Sequence, residues 1–180
     1  MPHVLEFEQI LALLQAAKTE CEGDWLLMLV PFVHALRSSE TVALTPDNVI
    51  GTRLSVKRRK GSNPVDDELL SSDNPLLNER DSLIALARKT PRKQKLFPIS
   101  ARTFQRRVHY YGERAKLPAK WCHPHTLKHS ILDHLLLTGM NLVEIQDRSG
   151  HKSLDSLRVY LHPKKISTDR QVSERLQAIN

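Results

Sequence analysis

The run Trp25-Leu-Leu-Met-Leu-Val-Pro-Phe-Val33 has no polar or charged member and no two-residue alternation, so it reads as a helix apolar on every side. Such a helix must be buried among other elements. It cannot instead cross a bilayer, because the apolar stretch from Leu26 to Leu36 is shorter than the ~20 residues a span needs and Pro31 interrupts it. The rest of the chain offers partners with the same period. Val4, Phe7, Ile10, Leu11 and Leu14 recur at helical spacing, and Phe104, Val108 and Tyr111 share one face of a helix expected over Ala101–Lys116. Leu127, Ile131 and Leu135, with Leu132 and Leu136, define another that stops at Gly139. Shorter helices are expected after a cap at Ser38 or Ser39, over Ser82–Lys89, from Asn141 to Gly150, after Ser153 toward Tyr160, and around Asp169–Ala178. The one extended stretch runs from Val49 to about Lys60 and meets the turn-forming Gly61-Ser-Asn-Pro64. The fold class expected is mainly α with a small antiparallel β-sheet. A length of 180 residues suits one domain, and 40% apolar with 26% charged residues excludes a disordered or collagen-like chain.

Charge is distributed in blocks. Residues 53–60 carry Arg53, Lys57, Arg58, Arg59 and Lys60 and no acid. Residues 63–87 hold Asp66, Asp67, Glu68, Asp73, Glu79 and Asp81 against Arg80 alone, and read as a solvated acidic connection. Residues 88–116 then carry ten Lys or Arg against one acid, Glu113. That excess, within a net charge of +7, points to a polyanion, with double-stranded DNA first among partners and Lys57, Arg58, Arg59, Arg102, Arg106 and Arg107 as its contacts. Cys21 and Cys122 form no CxxC pair and no disulfide framework, so a reducing compartment is expected. With no signal-peptide profile at the N-terminus, the expected location is cytoplasmic and no membrane partner is expected.

Five short elements carry chemistry. Arg37-Ser-Ser-Glu40 closes the apolar helix, and Lys60 ends the basic strand. His125-Thr-Leu-Lys128-His129 opens the Leu127 helix, where unpaired backbone N–H groups favour an anion. Gly150-His151 follows at a turn, and Tyr160-Leu-His162 lies beyond. Each has a plain structural alternative: Arg37 with Glu40 is an ordinary i,i+3 pair, Lys57 competes with Lys60, and Tyr160 could be a packed aromatic. His123, His125, His129 and His134 could bind a metal, but no HExxH glutamate or cysteine cluster completes such a site.

In fixed order, these elements resemble those of the tyrosine recombinases, or phage integrases. That family has an Arg in a G-x-R-x-S-E setting, a Lys on a β-turn, H-x-x-R-H, L-G-H and a nucleophilic Tyr in a Y-x-H context. The closest likeness is to the small fimbrial-switch invertases, through Phe32-Val-His-Ala35, Asn74-Pro-Leu-Leu-Asn-Glu79 and His123-Pro-His125. The resemblance implies the recombinase catalytic-domain fold over residues 1–162, with 163–180 as a C-terminal tail or helix that packs on a neighbouring protomer. It implies a site-specific recombinase, self-associating on DNA as a dimer or tetramer, with Arg37, Lys60, His125, Lys128, His151 and Tyr160 as catalytic residues. Fixed cations at Arg37 and Lys128 would stabilise charge growing on the phosphate. The phenol of Tyr160 would attack, His125 would accept its proton, Lys60 would protonate the leaving 5′-oxygen, and His151 would hydrogen-bond the phosphate. Because a 3′-phosphotyrosyl link conserves the bond energy, no cofactor, metal or ATP is required.

Two departures stand out. Lys128 replaces the family's second Arg, whose fork would make two parallel bonds where Lys makes one. That keeps a second expectation open, a weakened or inactive recombinase-like DNA-binding regulator. Ala35 stands where the family has Gly, at a helix end where a left-handed conformation costs alanine about 1 kcal/mol more.

Overall fold

Residues 4–58, 63–150, 153 and 157 are described in the computed structural model of the chain. The apolar run becomes α2 (Glu22–Val33), in which every residue from Asp24 to Val33 is buried. It packs between α1 (Phe7–Glu20) and α6 (Pro124–Leu137), with α5 (Ala101–Arg114) closing over α1. Trp25, Leu27, Met28 and Leu29 form the centre with Ile10, Leu13, Leu14, Phe104 and Leu127, all at 0% exposure. Pro31 lies in the last turn of α2, where it donates no N–H to the helix, which ends two residues later at Val33.

The end of α2 fixes the direction in which the chain leaves it. Leu36 N–H bonds back to the Pro31 carbonyl and Ala35 adopts φ +48°, which is a Schellman closure with alanine in the left-handed position. The expected alanine at a left-handed helix end is therefore observed. The short α3 (Ser38–Thr41) comes next, but neither Ser38 nor Ser39 caps it. Arg37 occupies the cap position, and Glu40 accepts both its backbone N–H (2.7 Å) and its Nη1–H (3.0 Å).

Three antiparallel strands, β1 (Val49–Ile50), β2 (Arg53–Val56) and β3 (Val65–Glu68), lie in the order β1-β2-β3, with Leu54 opposite Asp67 and Val56 opposite Val65. This corrects the reading of residues 63–87 as a solvated connection. Arg53, on the outer face, bridges Asp66 (3.0 Å) and Glu68 (3.4 Å), and Asp67 turns toward His34. The acids of β3 thus have cations to meet within the sheet. The remaining helices, α4 (Arg80–Lys89) and α7 (Leu142–Ser149), begin within two residues of their expected starts, and Asn141 caps α7 through bonds to the N–H groups of Val143 and Glu144. The expected helices after Ser153 and around 169–178 lie outside the described residues.

Candidate active site

Arg37 and Lys128, 91 positions apart, are joined through a third cation. The guanidinium of Arg58, just past β2, has 0% side-chain exposure. Its Nη2 donates to the carbonyls of His34, Ala35 and Arg148, each at 3.3 Å, and its Nε lies 3.8 Å from the Glu40 carboxylate that also holds Arg37. Arg58 Nε and Nη1 have no hydrogen-bond partner among the described residues. Arg58 therefore ties the closure of α2, the cap of α3 and the end of α7 to one point. Arg58, expected among the DNA contacts, is therefore buried within the cluster and does not lie on the exposed surface with Lys57.

Lys128 lies inside the same cluster. It is 4% exposed, and its Nζ donates to the Ser149 carbonyl (2.9 Å). Burial, reinforced by Arg58 and Arg37 and opposed by Glu40, pushes its ammonium down to about 7. His125, three residues earlier in the first turn of α6, is exposed, so these two expected catalytic residues have different surroundings. His129, one turn on, has its ring 6.3 Å from that of His125 and is pushed down to about 4 by burial and by the basic neighbours His125, Lys128 and His123, whose charged forms would repel its own. The His129 imidazole is thus neutral at pH 7. No three His, Cys, Asp or Glu among the described residues come together as metal ligands.

Gly150 ends α7 at φ +70°, and a Cβ there would fall 1.8 Å from Arg58 Nη1. Glycine is required both by the turn and by the guanidinium against it. The chain leaves this turn directly into His151. His151, Lys60 and Tyr160, and Arg59 among the DNA contacts, lie outside the described residues. The other tyrosines beside the basic face are engaged elsewhere. Tyr111 is buried with its hydroxyl donating to Asp24 (2.9 Å), which together with desolvation raises its phenol pKa, and the Tyr110 hydroxyl donates to Glu20 (3.0 Å).

Beneath the cluster lies a polar group that periodicity and charge blocks did not indicate. His34, 0% exposed, has Nδ1 at 3.0 Å from Asp67 and Nε2 at 2.8 Å from Glu79, itself fully buried. With a carboxylate on each ring nitrogen the imidazole is held as the cation, and its pKa is raised although burial alone would lower it. Arg148 completes the base by donating to the Val33 carbonyl (2.6 Å) near Asp67. The only sequence signal for His34 was its place in Phe32-Val-His-Ala35.

On α5, Arg102 and Arg106 are exposed, as is Lys57 after β2. Arg107 is half-buried and paired with Asp24, so it is partly withdrawn from that face.

Residues 3–166 match the model of the phage integrase family. The chain is 30% identical over 145 residues to a tyrosine recombinase of Pseudothermotoga lettingae, covering 78% of this chain and 50% of that protein. It is 28% identical over 187 residues to the tyrosine recombinase XerD of Vibrio vulnificus, covering 94% and 58%. The chain thus spans about half the length of these curated relatives. Among solved structures, the XerA recombinase superposes with TM-score 0.75 at 20% identity over 97% of this chain and 64% of that one. The catalytic domain of bacteriophage HP1 integrase does so with TM-score 0.66 at 20% identity over 95% of each. The fold is that of tyrosine recombinase catalytic domains, and the chain belongs to the phage integrase family.

Proposed function

We propose that this chain is the catalytic part of a site-specific recombinase that breaks and rejoins double-stranded DNA through a 3′-phosphotyrosyl intermediate. The observation that carries the reading is the convergence of Arg37, Lys128 and the 148–150 turn on one buried cationic cluster, from which the chain continues into His151. An XerH recombinase of the same fold (TM-score 0.71, 18% identity, 96% of this chain and 54% of that one) is bound to its difH substrate in a pre-cleavage complex, which supports DNA as the partner here.

In the cleavage step the Tyr160 oxygen bonds to phosphorus as the bond to the 5′-oxygen breaks. The phenolic proton passes to His125, exposed at the start of α6, and Lys60 supplies a proton to the 5′-oxygen. Arg37 and Lys128 hold the nonbridging oxygens, where charge grows in the transition state. Lys57, Arg102 and Arg106 contact the flanking backbone, residues 163–180 pack on a neighbouring protomer, and copies assemble on DNA as a dimer or tetramer. The outcome is of the integrase or invertase type, and the likeness of Asn74-Pro-Leu-Leu-Asn-Glu79 to the fimbrial-switch invertases keeps inversion among those outcomes. Lys128, in place of the family's Arg, favours one further reading, a DNA-binding regulator of the same fold with little or no turnover.

A nicked suicide duplex separates the two. Wild type is expected to accumulate a covalent DNA adduct that survives denaturant, and Tyr160→Phe to form none while binding DNA equally, because only the hydroxyl is lost. Undiminished adduct in Tyr160→Phe overturns the nucleophile, and no adduct from wild type leaves the regulator.

A further inference from the structure

We propose that Lys128 is a proton-accepting cation: above neutral pH it rests mainly as the amine in the free protein and takes up a proton from solvent when an anion enters beside it and Arg37. That this anion is a DNA phosphodiester rests on the recombinase reading, while the proton count does not.

Among the described residues the cluster gathers more cationic side chains than carboxylates. Arg37 and Glu40 face it from α3, Arg58 from the end of β2, and Arg148 from α7. Asp67 on β3 lies beneath, already committed to His34 and near Arg148. On α6 itself, His125 and His129 are the neighbours of Lys128. Among the described residues, Glu40 is a carboxylate that both Arg37 and Arg58 approach, Asp67 also acts on Arg58, and two donor nitrogens of Arg58 have no hydrogen-bond partner. Against this background Lys128 donates to a neutral backbone carbonyl, that of Ser149. An ammonium buried against two guanidiniums without a carboxylate of its own is better accommodated as an amine. Its downward displacement to about 7 agrees with that geometry.

An arriving anion reverses the balance. It places negative charge beside the amine and favours the ammonium, so binding draws a proton from solvent. An arginine at this position would stay charged throughout and could not couple binding to proton uptake. Anion affinity in this pocket therefore falls as pH rises above about 7, by up to ~10-fold per pH unit for one linked proton.

Lysine ε-carbon signals followed by NMR through a pH titration of the whole chain test this, with Lys128→Arg used only to assign the Lys128 resonance. The probe is sodium sulfate, which carries no titrating proton near neutrality, compared with sodium chloride at matched ionic strength. One lysine is expected to titrate near 7 in chloride and to move up by about one pH unit or more in sulfate. In Arg58→Met the midpoint should rise even without sulfate, and the sulfate titration of wild type decides the matter if that variant fails to fold. A Lys128 midpoint above about 9.5 in chloride, or equal midpoints in the two salts, overturns the proposal. Adduct on the suicide duplex with an ordinary Lys128 midpoint would leave the recombinase standing without this proton. A sulfate-responsive Lys128 with no adduct would leave the anion site without strand cleavage.

Discussion

At Ala35 two costs of similar size oppose each other. Its φ of +48° places the Cβ where L residues are crowded, at about 1 kcal/mol or somewhat more, yet its methyl is fully buried against Leu132 and Ile145, worth ~0.8 kcal/mol. Ala35→Gly removes both and adds the freedom of an unfolded glycine, so its stability should stay within about 1 kcal/mol of wild type. Ala35→Val keeps the strain, adds branching and overfills the site, and should lose more than about 2 kcal/mol by urea denaturation. A stabilised valine variant would mean that the bend is not held at this residue. Lys128 gives a prediction whose sign depends on the structure. The sequence suggests that Lys128→Arg restores a missing fork and speeds cleavage by ~10-fold or more. Inside the fold, position 128 is 4% exposed and Arg58 already supplies a buried guanidinium beside it. The larger, permanently charged side chain should cost about 1–3 kcal/mol in overpacking and repulsion, so Lys128→Arg should lower the urea midpoint and the single-turnover cleavage rate together. A variant faster and no less stable than wild type would show that the pocket has room for both.

Elements meet at the site through His34, which joins the end of α2 to Asp67 on β3 and to Glu79 before α4. Its pKa is raised in the folded state, so the stability it confers is complete below the unfolded value near 6.5 and is lost as pH rises through the folded value. The gap in stability between wild type and His34→Asn should accordingly be widest below about pH 6.5 and narrow in alkali, and a gap that instead shrinks as pH falls below about 6.5 would mean that the imidazole is held neutral. His129 acts in the opposite sense, because its pKa is pushed down to about 4 and it favours the folded state less as pH falls from 6.5 toward that value. Neither behaviour was legible in the sequence, where both were simply histidines. The helices were legible, because α2, α5 and α6 repeat apolar residues at their own period and Asn141 caps where a cap was needed. β3 was not, because Asp66, Asp67 and Glu68 read as solvated until the partners Arg53 and His34 are in place. Arg58 was misjudged for the same reason: a basic run shows its charge but not which member turns inward.

Over the whole molecule, the exposed cations of α5 and of the strand ends should govern how DNA affinity depends on salt. Each neutralised phosphate contributes about 0.9 to the slope of log affinity against log salt. Replacing Arg102 and Arg106 by Ala should reduce that slope by about 1–2 and weaken binding to all sequences alike. Arg107→Ala should change the slope less and also cost stability, since Arg107 is paired with Asp24 of α2. An unchanged slope in the double variant would move the DNA face away from α5. Among the described residues, two ties join parts of the chain more than a hundred positions apart: Leu5 N–H reaches Ser130, and Arg148 reaches the Val33 carbonyl. A polypeptide still emerging from the ribosome can close α2 and cap α3, but it has neither the α7 carbonyl that receives Arg58 nor the one that receives Lys128 until residue 149 has been added. The buried cationic cluster therefore cannot close before residue 149 has been made, and a translation product that stops short of it retains basic surface without that cluster.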